Sequence, residues 1–208
     1  MKKHVITVSR ELGSGGNKVA RELSKRLNIP YYDRDILNKT AQDFGISRDR
    51  LERYDEKKSN SFLYSLATAR LDTMAIPSFQ LNDIVLDDRA FMFTSETIKK
   101  LADSPCIIVG RCADYVLRER NIVKVFICAD IDDRVKNVSE SLEMSEKNAL
   151  KLIQKTDKRR ASYYNSFTDG DWGKSSNYHI SVNTSILGID GSVDVLQRFI
   201  ELYNEKIN

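Results

Sequence analysis

Three stretches of the chain decide most of its architecture: HVITVS at 4–9, CIIVGR at 106–111 and VKVFICA at 123–129. Each is short and almost continuously apolar. A strand of that kind is buried on both faces, which is the condition of a parallel sheet with helices above and below it. YHISVNT at 178–184 is more mixed but rich in β-branched residues, and PYYD at 30–33 adds another short candidate. Helical patterns separate these runs. Val19, Ala20, Leu23 and Leu27 fall at helical spacing, and Val193, Leu196, Ile200 and Tyr203 form one apolar stripe that predicts a closing helix over about 190–206. At 130–138 Asp130 is placed as an N-cap, with Asp133 near the N3 position. Strands alternating with helices make βαβ units and a doubly wound α/β sheet.

Two regions break the alternation. Residues 34–104 read as mostly helical without a convincing strand, divided at Pro77; residues 143–177 begin helical and turn polar and glycine-bearing. Both read as insertions on a sheet core made of 1–33, 105–142 and 178–208. A length of 208 residues suits one such domain with its insertions. The 41% hydrophobic and 30% charged content is that of a globular chain, not a disordered one. A net charge of +3 is too small to argue for nucleic acid or a membrane as the main partner. Three cysteines without a C-x-x-C fit a reducing compartment and argue against a disulfide framework or a zinc site. With no signal-peptide pattern at the N-terminus and no apolar run near the ~18 residues of a span, a cytoplasmic location is expected. Sequence says nothing of oligomeric state.

The stretch VITVSRELGSGGNKVA (5–20) carries the first chemical signal. Glycines between a strand and a helix let backbone amides wrap an anion at the positive end of the helix dipole. A phosphate loop normally closes in Gly-Lys-Ser or Gly-Lys-Thr, with the lysine on the terminal phosphates and the hydroxyl on magnesium. Here the corresponding residues are Gly15, Gly16 and Asn17. The stretch therefore admits two readings, a phosphate loop over Gly13, Ser14, Gly15, Gly16 and Asn17, or a glycine-rich turn without a ligand. Arg10 before the loop and Lys18 inside the helix are the cations placed to replace the lysine, and Arg10 is better placed to reach back over the loop.

ITVSRELGSGG, YYDRDIL, IIVGRCADYVLRER and DKRRASYY with the DWG and NYHISVNTSILGIDG that follow together resemble the cytidylate kinase-like family, divergent relatives of the nucleoside monophosphate kinases, over nearly the whole chain. The resemblance implies a P-loop NTPase-type fold with a five-stranded parallel sheet, a helical acceptor lobe (34–104) and a lid (143–177). It also implies transfer of the γ-phosphoryl group of ATP to CMP or dCMP with Mg2+. Gly13, Ser14 and Gly15 match the phosphate-loop residues of cytidylate kinases, Gly16 falls on their lysine and Asn17 on their serine. Gly110-Arg111 matches their Gly-Arg pair, with Val109 and Cys112 where aspartates flank it. Asp33 matches an aspartate at the end of their second strand, and Arg159 and Arg160 lie where their lid arginines lie.

The remaining candidates follow from position. Arg111 ends a central strand, where ligands bind in such sheets, and is read as a phosphate ligand in preference to a surface salt bridge. Asp114, about one turn on, is placed to hold magnesium, to orient Arg111 or to cap a helix. Arg159 and Arg160 are either a solvated face or, following the resemblance, a clamp on the polyphosphate. Asp33 is placed to act through metal-bound water or to fix an acceptor-binding arginine, and Asp35 to cap the next helix. Tyr163, Tyr164 and Trp172 read as packing within the lid before base stacking, His4 and His179 as structural, and Cys112 as a small buried residue. No metal ligands are assigned. The function expected is a nucleoside monophosphate kinase-like phosphotransferase, with phosphates on the amides of 13–17 and charge from Arg10, Arg111 and Arg159. The alternatives are a nucleotide-binding regulatory or sensor protein with little turnover, and a kinase for another small phosphate acceptor.

Overall fold

The computed structural model describes residues 5–46, 51 and 78–207, with the side chains of 78–88 and 207 excepted. Pro77, His4 and the middle of the expected helical lobe lie outside the described residues. Five strands form one parallel sheet: β1 (Val5–Arg10), β2 (Tyr31–Tyr32), β3 (Ile107–Val109), β4 (Ile122–Cys128) and β5 (Ile180–Asn183), in the order β2-β3-β1-β4-β5. The expected strands are present, and their burial explains why they read as continuous apolar runs. Ile6, Val8, Ile107, Val109, Val123, Val125 and Ile127 face one core layer, while Val5, Ile108 and Ile122 face the other. β1 is central, in register with β3 through Ile6–Ile107 and with β4 through Val5–Ile122.

Seven helices are described: α1 (Gly16–Leu27), α2 (Asp35–Phe44), α3 (Ser78–Leu101), α4 (Ala113–Val116), α5 (Ile131–Ser141), α6 (Glu146–Phe167) and α7 (Thr184–Ile207). α1 buries Val19, Ala20 and Leu23 against the sheet together with Val193, Leu196 and Ile200 of α7. α7 is broken at Gly188, so the amphipathic part predicted for about 190–206 begins just after the break. Ile98 of α3 and Ala113 of α4 close the opposite layer. A satellite cluster of Val138, Ala149 and Ile153 joins α5 to α6. Asp130 is the N-cap of α5, although its side chain makes no capping bond.

Asp35 is not the N-cap of α2. It stands in the first turn, and Arg34, already in the right-handed helical region, holds the cap position. The amides of Ile36 and Leu37 donate to the carbonyls of Asp33 and Arg34, so backbone takes the capping role the side chain was expected to fill. β5 is shorter than the 178–184 run because a 3-10 turn over Ser175–Asn177 precedes it; His179 lies just outside the strand, its amide donating to the carbonyl of Lys124 at 2.8 Å. No helix among the described residues is long and apolar enough to cross a membrane.

Candidate functional site

Parallel strands present their C-terminal ends along one edge, and ligands of open α/β sheets bind there. Arg10 ends β1, Asp33 follows β2 and Gly110-Arg111-Cys112 follows β3. The last three residues take positive φ in succession, 75°, 54° and 52°. A run of left-handed residues is unfavourable for side chains with a Cβ, and such strain collects at functional sites. Here it ends β3 abruptly and turns Arg111 toward Asp33, whose carbonyl accepts from Arg111 Nη1 at 3.1 Å.

These strand ends border a cavity of about 190 Å³ lined by Ser9, Arg10, Asp33, Arg34, Gly110, Arg111 and Cys112 from below. Arg159, Arg160, Tyr163 and Tyr164 of α6, with Trp172 beyond it, line it from above. Five arginines against one aspartate make the cavity a site for an anion. Arg160 is pushed down to about 10 by burial and by the neighbouring Arg10 charge, so it stays protonated near neutral pH. Its Nη1 donates to the carbonyl of Arg10 at 2.8 Å.

Arg10 is held on two sides. Its Nε donates to Asn17 Oδ1 at 2.9 Å, and its Nη2 lies 3.3 Å from Asp33 Oδ1. Asn17 Nδ2 in turn donates to Asp33 Oδ2 at 2.9 Å, closing a three-residue ring. The stem of Arg10 crosses Gly16: a Cβ added there would lie 2.5 Å from Arg10 Cβ. Gly16 is therefore the space that Arg10 occupies.

The glycine loop itself is built tightly. Gly13 has φ 83° and faces α5, where an added Cβ would lie 2.7 Å from the Arg134 carbonyl. Ser14 is fully buried, its hydroxyl donating to the Glu11 carbonyl and accepting from the Gly16 amide. The amides of Gly13, Ser14 and Gly15 have no acceptor among the described residues. That is the donor set a phosphate loop offers.

Of the residues predicted for the site, Arg10, Asp33, Arg111, Arg159 and Arg160 come together around the cavity. Gly13–Asn17 lie beside it, joined to it through Arg10, and Lys18 is exposed on α1 away from its lining. Asp114 is set apart. It is 4% exposed in the first turn of α4, accepts the Tyr164 hydroxyl at 2.8 Å, and is absent from the cavity wall. Burial raises its pKa, outweighing the Tyr164 bond. Tyr163 packs on Phe91 and Phe167, and Trp172 lies edge-on to Phe126, so the aromatic residues are packing elements that also line the cavity.

A second set of charged residues ties α6 to the loop. Asp157 accepts from the Leu12 amide at 2.9 Å and pairs with Arg134, and Arg134 Nε donates to the Leu12 carbonyl at 2.8 Å. Glu11 pairs with Arg134 at 3.3 Å and accepts from the Ala129 amide. Nothing in the sequence reading singled out Glu11, Arg134 or Asp157. Among the described residues no group of three or more His, Cys, Asp or Glu is placed to hold a metal ion.

Comparison with known proteins agrees with this architecture. A family model described as the cytidylate kinase-like family matches residues 5–186. A cytidylate kinase from Pyrobaculum islandicum is 22% identical over 197 residues, covering 94% of this chain and 92% of its own. The crystal structure of an uncharacterized protein from Eubacterium ventriosum superposes with a TM-score of 0.71 at 26% identity, covering 96% of this chain and 99% of that one. A shikimate kinase from Bacteroides thetaiotaomicron shares the fold with a TM-score of 0.55 at 13% identity, covering 96% and 99% of the two chains.

Proposed function

We propose that this chain, which belongs to the cytidylate kinase-like family, is a phosphotransferase that moves the terminal phosphoryl group of ATP to CMP or dCMP. Membership implies a nucleotide or small-molecule kinase-like protein, and such kinases in general use ATP and Mg2+. The observation that carries the finer reading is the convergence of Arg10, Arg111, Arg159 and Arg160 on one cavity beside a glycine loop whose Gly13, Ser14 and Gly15 amides have no acceptor among the described residues. Phosphoryl transfer asks a protein mainly for positioning and positive charge. The loop amides of 13–17 would receive the donor's polyphosphate. Arg10 lies between loop and cavity, where the transferring group passes. Arg111, fixed on the Asp33 carbonyl, faces the acceptor phosphate. An oxygen of that phosphate attacks the γ-phosphorus, the bond to the β–γ bridging oxygen breaks, and ADP carries the charge away. Arg159 and Arg160 cover this step from α6, the lid of this reading. The partners are small nucleotides, and the expected setting is the cytoplasm.

A second reading has its own observation. Gly16 and Asn17, where the lysine and hydroxyl of a Gly-Lys-Ser loop would stand, are occupied with Arg10, which suits a nucleotide-binding sensor with little turnover. Purified protein incubated with magnesium, ATP and a panel of nucleoside monophosphates separates the two by ADP release. The kinase reading expects turnover highest with CMP or dCMP, and a loss of about a hundredfold in kcat/KM for Arg111→Ala. ATP binding without turnover on any acceptor would select the sensor.

A further inference from the structure

Loops that end in Gly-Lys-Ser or Gly-Lys-Thr hold a divalent cation through the hydroxyl that follows the lysine. The equivalent residue here is Asn17, and its surroundings do not fit that ion. Magnesium sits at about 2.0–2.1 Å from oxygen ligands. The Asn17 oxygen is held at 2.9 Å by Arg10 Nε, a group that already carries a full positive charge. Turning the amide over would not free it, because Nδ2 would then face the Arg10 donor and lose its bond to Asp33. The nearest carboxylate, Asp33, is also committed, with Oδ1 on Arg10 and Oδ2 on Asn17 Nδ2.

We propose that the chain binds the polyphosphate of a nucleoside triphosphate without a divalent cation in the loop, the Arg10 guanidinium, fixed by Asn17 and Asp33, taking the ion's place. This rests on the nucleotide-binding reading above. Three residues then act as one. Glycine at 16 gives space to the Arg10 stem, whose Cβ would lie 2.5 Å from any Cβ at that position. Asparagine at 17 supplies an acceptor for the guanidinium and a donor for the carboxylate, which a hydroxyl of Ser or Thr would not span together. Arginine at 10 supplies a charge that does not dissociate, on a planar fork whose Nε and Nη2 are held in place by Asn17 and Asp33. Arg160, bonded to the Arg10 carbonyl, and Arg111 and Arg159 in the same cavity wall add the remaining charge that magnesium and lysine would otherwise bring.

The test is titration calorimetry with ATP on the wild-type protein, once in EDTA and once in excess magnesium. Dissociation constants within about threefold of each other support the proposal; a loss of about a hundredfold or more in EDTA overturns it. Arg10→Ala is expected to weaken binding in EDTA at least about tenfold and to recover part of it with magnesium, because Asn17 and Asp33 are then released for an ion. An Arg10→Ala protein that binds as well as wild type in EDTA overturns the role of Arg10. If that variant does not fold, Arg10→Lys, which keeps the charge without the fork, is the second probe: weaker binding in EDTA supports the proposal, and unchanged binding overturns it. No ATP binding in either buffer removes the nucleotide reading itself and the proposal with it, an outcome distinct from binding that requires magnesium.

Discussion

Gly16 and Arg10 exclude each other's alternatives. Lysine at 16 needs the volume that Arg10 fills, since its Cβ would also lie 3.2 Å from Ile127 Cβ in a packed layer. Gly16→Lys is therefore expected to destabilise by about 1–3 kcal/mol through overpacking. Arg10→Ala removes the partner of Asp33 and Asn17 and is expected to destabilise by a similar amount, about 1–3 kcal/mol. Gly16→Lys and Arg10→Gly, which also removes the Cβ standing 2.5 Å away, are not independent, and a favourable coupling of about 0.5–3 kcal/mol should appear in a double-mutant cycle followed by urea unfolding. Strict additivity would mean that the contact over Gly16 is unimportant. Asp114 gives a prediction of a different kind. Burial raises its pKa in the folded state, so between about pH 4 and the raised value the folded protein binds more protons than the unfolded one. Stability contributed by this group therefore falls as pH rises through that window. Asp114→Asn, which still accepts the Tyr164 hydroxyl, should remove the fall; urea midpoints measured from pH 4 to 7 check it, and an unchanged pH slope would contradict it.

At the scale of elements, the ties that hold α6 include Asp157 on the Leu12 amide and Arg134, and Phe167 stacked on Phe91 of α3 at 3.9 Å between ring centroids. The polar tie is buried at Arg134, whose side chain is 8% exposed, and partly buried at Asp157, at 16%. Removing Asp157 leaves Arg134 with Glu11 as its remaining carboxylate, at 3.3 Å, and takes the acceptor from the Leu12 amide, so Asp157→Ala is expected to cost about 1–3 kcal/mol. Hydrogen exchange should show the loss first at the Leu12 amide and along α6. A protein that loses stability without faster exchange in α6 would show that the tie serves the core alone. This knot was not legible in the sequence, while the sheet was. The central strands β1, β3 and β4 are buried on both faces, and that leaves a compositional mark in each run separately. Asp157 and Arg134 meet Leu12 only through packing, and in a linear reading each sits within a charged helical stretch that looks like a solvated face. The same holds for the ring of Arg10, Asn17 and Asp33. Each residue was a candidate by position, but their bonds to one another depend on how β1, α1 and the end of β2 converge. The capping role expected of Asp35 failed for a local reason: Arg34 enters the helix early enough for backbone carbonyls to take the first amides.

Across the whole molecule, charge is concentrated more than its net value implies. A chain with a formal charge of +3 places five arginines and one aspartate around a single cavity. These like charges repel in the folded state, where Arg10 and Arg159 add to the burial that lowers Arg160 to about 10, and unfolding would relieve them. An anion that binds the folded form offsets this repulsion and is linked to stability by mass action. Pyrophosphate carries the chemistry of the polyphosphate without the base or sugar. At one hundred times its dissociation constant it should stabilise the fold by about 2.7 kcal/mol. For a chain of this length about 1 kcal/mol raises Tm by about 2–4 °C, so a shift of about 5–11 °C is expected. The shift should shrink as sodium chloride is raised, to the extent that the cavity is open to screening ions. It should also shrink in Arg111→Ala at a fixed pyrophosphate concentration, while Lys18→Ala, a cation on the exposed face of α1, should leave it unchanged. Thermal melts of the three proteins across a pyrophosphate series measure all of this. An equal loss in both variants would mean that anions read only the overall charge, and that the arginines around the cavity do not act as one site.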